Sequence, residues 1–280
     1  MSSSGSAIGN DPDEYACNNN CGDNNTGANV GELQKNMFFC DEMGSPKNKL
    51  AKFAEFDSFE NTFDYSHETK GKWSEIFGNS NPIVVEFACG KGEYSLGLAK
   101  LNPNINYIGV DIKGNRLWRG AKNAIENGLN NVRFLRIQID NAAQYFNSNE
   151  VDEAWITFPD PQPQKRYKRL CSGKFLNIYR EIMKPNSRLN IKTDRDLFYE
   201  TALEQAVLDK LTVEANINDV YRLNPLPEFL NIQTFYENIW LKEGKKIKYV
   251  RMILGTEKSD ETKRISLEEG TPLPPLTETA

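Results

Sequence analysis

The chain has 280 residues, 39% hydrophobic and 26% charged, with a formal net charge of −5. That balance belongs to a folded, water-facing protein and excludes fibrous or wholly disordered classes. No apolar run approaches membrane-spanning length, no basic and then apolar leader opens the chain, and five cysteines without regular spacing fit reduced thiols in a cytoplasm-like compartment.

Charge is unevenly distributed. Residues 1–42 hold seven acids and one lysine, and residues 257–280 hold six acids and three bases, which leaves the stretch 43–256 at +4. Both ends are poor in groups to bury, so we expect a disordered acidic extension over 1–42, one folded domain over 43–256 and a disordered acidic tail over 257–280. Cys17 and Cys21, with Cys40 further on, have no histidine nearby and no second pair, and do not make a zinc set. At Met43, which would itself serve as a start, the chain turns basic and then amphipathic, offering Leu50, Phe53, Ala54 and Phe56 to a core.

From Ile83 the pattern becomes regular. Residues 83–88 (IVVEFA) read as a buried strand, followed by Cys89-Gly90-Lys91-Gly92 and a helix with Tyr94, Leu98 and Leu101 on one face. Strand, glycine loop and helix start form a place where backbone N–H groups meet a ligand, with Gly90 and Gly92 letting the backbone approach it. A dinucleotide fingerprint would need a third glycine where Ser95 stands. Glu86 is an acid inside an apolar strand; an unpaired buried carboxylate is costly, so it points to a cationic ligand such as a sulfonium.

A second strand, NYIGVDI, ends at Asp111, which could take ribose hydroxyls or cap the next helix. That helix is expected to bury Leu117, Ala121, Ala124 and Ile125 and to stop at Gly128. A third strand, VRFLRIQ, delivers Gln138, with Asp140 two residues on; these flank an adenine edge or sit in a plain loop.

The stretch Ala154 to Leu170 follows. Its strand stops at Pro159-Asp160-Pro161, where two prolines hold Asp160 on a stiff, non-helical corner, and Lys165, Arg166, Lys168 and Arg169 come next. A fixed acid beside a basic ribbon suits a polyanion held by its phosphates while one carboxylate addresses a base edge; an Asp-Pro turn beside a solvated basic run is the other reading. After a helix from about Ser172 to Pro185, RLNIKTD reads as a fifth strand ending at Asp194, close to Asp160 on the carboxyl edge of a sheet. TVEANI and KIKYVRMIL supply two last strands, and between them Tyr236 and Trp240 read as core.

Together, Glu86 to Gly92, the Pro-Asp-Pro element with Lys168 to Leu170, Thr193-Asp194 and Thr234 to Glu237 resemble the tRNA (guanine-N7)-methyltransferase family over about residues 45–254. The resemblance implies an α/β, Rossmann-like class I methyltransferase fold with a mostly parallel seven-stranded sheet, helices on both faces and an antiparallel last strand. It implies S-adenosylmethionine as methyl donor, no metal, and tRNA as partner, methylated at N7 of guanosine 46 in the variable loop. It also implies that Glu86, Gly90, Gly92, Asp111, Gln138 and Asp160 surround the donor. Gln164, Lys165, Asp194, Thr234, Phe235, Tyr236 and Glu237 then fall on the substrate side, with Asp160 the catalytic residue. Ala88, Gln138 and Gln164 depart from the family's usual residues. The expected setting is cytoplasmic, with no membrane partner, as monomer or homodimer. A non-catalytic tRNA-binding protein or inactive partner subunit is the alternative, discriminated by whether the methyl donor binds.

Overall fold

Residues 46–259 are described by a computed structural model; the expected extension 1–42 and the tail beyond Ser259 lie outside the described residues. In chain order the elements are α1 (Pro46–Ser58), β1 (Thr62–Asp64), α2 (Trp73–Phe77), β2 (Ile83–Phe87), α3 (Glu93–Leu101), β3 (Asn106–Asp111), α4 (Gly114–Glu126) and β4 (Val132–Arg136). They continue with β5 (Val151–Thr157), α5 (Gly173–Ile182), β6 (Met183–Thr193), α6 (Asp196–Leu208), β7 (Thr212–Ile217), α7 (Phe235–Lys242) and β8 (Lys248–Ile253). Among the described residues no helix is long and apolar enough to cross a membrane.

One sheet runs in the order β1-β4-β3-β2-β5-β6-β8-β7. β8 pairs antiparallel with β6 and β7, and the other pairings are parallel. The seven strands read from the sequence are β2 to β8, and the last is antiparallel as expected. The eighth, β1, is a three-residue edge strand, too short to show a period.

Strand parity sorts the apolar side chains onto two faces, and both are covered, as parallel sheets require. Val85, Phe87, Ile108, Val110, Ile156 and Ile191 pack on one side with Trp73, Phe146, Tyr179 and Phe198. Val84, Tyr107, Phe134, Trp155 and Tyr249 pack on the other with Phe56, Leu98, Leu117 and Ala121. The helical stripes are narrower than the sequence reading: Leu50, Ala54, Leu101 and Ile125 are exposed, because each sits at an end turn or beside the buried stripe rather than on it. Gly128, at φ 64, ends α4 as expected, its N–H reaching Ile125 O. α5 stops at Ile182, three residues before Pro185, and runs straight into β6.

The chain after β8 is tied back to the body. The Arg180 guanidinium donates to Gly255 O at 3.0 Å and to Ser259 Oγ at 2.7 Å, and the Ser259 N–H donates to Asn177 Oδ1 at 2.8 Å. Arg180 also pairs with buried Asp209 at 2.9 Å.

Candidate active site

Chain order reverses across the sheet between β2 and β5, since β3 and β4 lie on one side and β6 on the other. The crevice beyond the carboxyl ends of these two strands is where an open α/β sheet takes a ligand. Two loops border it, Ala88 to Gly92 after β2 and Phe158 to Arg169 after β5.

The first loop turns through three left-handed residues, Ala88 (φ 57), Gly90 (φ 57) and Gly92 (φ 65). Ala88 therefore carries the conformation a glycine would take freely, at a cost of about 1–2 kcal/mol. The two glycines differ in purpose. A Cβ on Gly90 would meet nothing within 4 Å, so the loop is open there, whereas on Gly92 it would lie 2.3 Å from Phe134 Cε1. The missing Cβ of Gly92 leaves room for the β4 phenylalanine, and Gly90 faces open space. Asp111 fixes the loop from β3, accepting from Gly90 N at 2.9 Å and Lys113 N at 2.8 Å. Gln138 is exposed just beyond β4, and Asp140 pairs with Lys174.

Glu86 is buried at the switch point itself, but it is not unpaired. It accepts from the Ser95 N–H at 2.9 Å, from Ser95 Oγ at 2.5 Å and from Thr157 Oγ1 at 2.5 Å, which joins β2, α3 and β5. Burial outweighs these bonds and pushes its carboxyl up to about 7. The part Ser95 and Thr157 play as partners of Glu86 escaped the sequence reading, because contacts 9 and 71 residues away leave no local signal.

In the second loop, Phe158 adopts φ 47, an uncommon conformation for a bulky residue, while its N–H is held by Lys192 O at 2.8 Å. Asp160 is exposed and accepts from Gln162 N at 3.0 Å and Gln162 Nε2 at 2.7 Å. The basic ribbon divides. Arg169 is buried, donating to Pro161 O at 3.1 Å, Pro163 O at 3.0 Å and Thr201 Oγ1 at 2.6 Å, and Arg166 pairs with Glu204 at 2.5 Å. A proline-rich loop lacks the N–H groups to satisfy its own carbonyls, and Arg169 supplies them. Gln164, Lys165 and Lys168 remain exposed.

Asp194 ends β6, beside the β5 loop, because Thr157 registers with Lys192. Its Oδ2 lies 3.1 Å from Arg195 Nε, close enough for an ion pair but not aligned as a hydrogen bond. Thr234 and Glu237 form a capping box at the start of α7, the Thr234 side chain taking Glu237 N at 3.2 Å. Glu237 is fully buried, 2.7 Å from Lys192 Nζ and 2.8 Å from the Tyr221 hydroxyl. Lys192, also fully buried, donates further to Leu230 O at 2.8 Å and Ile232 O at 3.0 Å. Burial pulls its ammonium below the usual lysine range, and Glu237 opposes the shift. What reaches outward from this segment is aromatic: Phe235 and Tyr236 are 37% and 41% exposed, which corrects the reading of Tyr236 as core. Lys192 was legible in principle, as a lysine at an inward position of an apolar strand.

A doubly wound sheet closed by one antiparallel strand, with a glycine loop and acids at its switch point, is a class I methyltransferase fold. A solved 16S rRNA methyltransferase, KamB, matches it at 12% identity and a TM-score of 0.51 over 66% of this chain and 93% of its own. The family model described as "Putative methyltransferase" matches residues 80–250. The tRNA (guanine-N(7)-)-methyltransferase of Christiangramia forsetii is 46% identical over 221 residues, 75% of this chain and 98% of the relative. That of Bacteroides thetaiotaomicron is 40% identical over 220 residues, 75% of this chain and 87% of the relative. The chain belongs to the tRNA (guanine-N7)-methyltransferase family.

Proposed function

We propose that the protein transfers a methyl group from S-adenosylmethionine to N7 of a guanosine in tRNA, guanosine 46 of the variable loop. The observation that carries the reading is the placement of Asp160 and Asp194 beyond adjacent parallel strands, next to the switch-point crevice, in a chain 46% identical to a relative bearing that name. The donor set fits a cationic nucleoside. Gly90 offers open space beside the Asp111 carboxylate, Gln138 and Asp160 are exposed along the same edge, and Glu86 lies beneath α3. Glu86, Gly90, Gly92, Asp111, Gln138 and Asp160 would hold the donor, which supplies a methyl group on a positively charged sulfur.

The chain's own work is positioning and electrostatics. Guanine N7 carries a free lone pair at neutral pH, so no side chain has to remove a proton before attack, and orientation sets the rate. Carboxylates are acceptors only when ionised, so Asp160 and Asp194 suit the guanine N1–H and amino group. As the purine gains positive charge, the Asp160 carboxylate stabilises it. Lys165 and Lys168 extend from the same loop toward phosphates.

The reading is tested by digesting tRNA incubated with the protein and methyl donor, and identifying nucleosides by mass spectrometry. 7-Methylguanosine is expected from a transcript with G46 and not from one with A46. Unmodified G46 transcript under conditions where the protein binds both ligands would sink the enzyme and leave the non-catalytic alternative.

A further inference from the structure

Beyond Asp194 the carboxyl edge does not close. A cavity of about 470 Å³ is lined there by Asp194, Arg195, Asp196, Asn218, Lys245, Lys246 and Lys248. The topology explains this gathering. β8 runs against β6, so its first residue, Lys248, registers with Thr193 and stands at the carboxyl edge, and the end of β7 brings Asn218 to the same edge. Four cations meet two acids. Lys248 pairs with Asp196 at 2.7 Å and Arg195 with Asp194 at 3.1 Å, which spends both acids. Lys246 is exposed and has no ion-pair partner among the described residues; Lys245 lies over the Trp240 ring at 3.5 Å and pairs at 3.0 Å with Glu243, which is not part of the cavity lining, a solvated pair of the kind worth little that a phosphate can replace.

The wall beside the cavity is aromatic. Tyr236 stacks with Trp240 at an interplanar angle of 21°, and the Arg195 guanidinium lies 5.4 Å from the Trp240 ring centre. Cations interleaved with aromatic faces are what a single-stranded segment of nucleic acid meets: phosphates go to the cations and unstacked bases to the rings.

We infer that this cavity is a phosphate subsite for the tRNA strand, holding the backbone of a nucleotide beside the target guanosine through Lys245 and Lys246. The inference rests on the methylation reading above and adds a second anchor to the loop after β5. Neighbouring strands are about 4.8 Å apart, so a pocket centred one to two strands beyond β6 lies within ~10 Å of it, the reach of an adjacent nucleotide. The two anchors lie on either side of Asp194, which sets the path of the strand across the edge.

The experiment measures labelled tRNA binding to the full chain across a salt series for the Lys245→Gln/Lys246→Gln double variant, the single Lys246→Gln variant and a Lys100→Gln/Lys184→Gln control. The control removes the same charge from the opposite edge of the sheet. The pocket double variant is expected to bind roughly tenfold more weakly, and its log–log salt slope to be shallower by about one unit, while the control keeps the wild-type slope. KM for tRNA should rise with turnover at saturating tRNA and methyl-donor affinity unchanged. A wild-type slope in the double variant, or an equal loss in the control, overturns the subsite. If the wild type binds tRNA and makes no 7-methylguanosine, the methylation reading fails by itself, and the binding series still decides the subsite.

Discussion

At the scale of single residues, the site is built from acids in two opposite environments. Asp160 is exposed on a corner held by prolines, by its own bonds to Gln162 and by Arg169 beneath. Asp160→Asn keeps size and corner but replaces an anionic acceptor with an amide. Methyl transfer at saturating tRNA is expected to fall by roughly 10²-fold, with the salt slope of binding unchanged. A single-turnover rate near wild type would return Pro159-Asp160-Pro161 to the status of a turn. Glu86 is the opposite case, a buried carboxyl pushed up to about 7. Folding raises this pKa from the usual carboxylate value, so its contribution to stability is fully present below about 4.5 and is lost as pH rises through about 7. Glu86→Gln has no such titration. Relative to wild type the variant should gain stability between pH 5 and pH 8, by on the order of 2–3 kcal/mol. Urea unfolding of both proteins at the two pH values reads this directly, and parallel pH dependences would show that Glu86 does not titrate in that window.

At the scale of elements, the decisive fact is how an irregular segment is fastened to the sheet. The stretch from Phe229 to Thr234 has no regular structure, and its carbonyls at Leu230 and Ile232 are taken by Lys192 from the middle of the sheet. The same ammonium meets Glu237, so one lysine ties the loop, the cap of α7 and β6 together. Buried pairs of this kind add little net stability when intact but are costly to break from one side. Lys192→Met is expected to lose about 3–5 kcal/mol and Glu237→Gln somewhat less. The double variant should recover part of the sum, since neither partner is then left charged alone. Strictly additive losses in chemical denaturation would mean that the two side chains do not share their energy. The same fastening sets the function of α7, because it presents Phe235 and Tyr236 outward while keeping Thr234 and Glu237 for the cap.

At the scale of the whole molecule, charge is separated along the chain. Residues 43–256 carry +4, and extending to Ser259 adds Glu257 and Lys258 and leaves that unchanged. The stretch 46–259 also includes Ser259, which bonds to Asn177 and to the buried Arg180–Asp209 pair. A chain of 46–259 is expected to melt cooperatively and to bind tRNA at least as tightly as the full protein, with the larger advantage at low salt. Ending the chain at residue 256 should lower the melting temperature relative to 259, because Arg180 and Asp209 lose a partner. Equal melting temperatures for the two ends would show that the Ser259 contacts are worth nothing.

The order of strands β2 to β8, the glycine loop, the proline corner and the acids at strand ends were legible along the chain, because each leaves a local mark: an apolar run, a turn residue, a break in period. Those marks located Glu86, Asp111, Asp160 and Asp194 before any contact was known. What each charge faces is set by the way distant segments pack together. Whether Arg169 meets phosphate or the carbonyls of its own loop, whether Glu237 is exposed or paired with Lys192, and which side chain fills the space beside Gly92, depends on partners up to 45 residues away in sequence. The cavity at Lys245 and Lys246 exists because β8 is inserted between β6 and β7. Periodicity reports which side of an element is buried and carries no information about which distant side chain buries it, so the fold was legible along the chain and the division of labour among its charges was not.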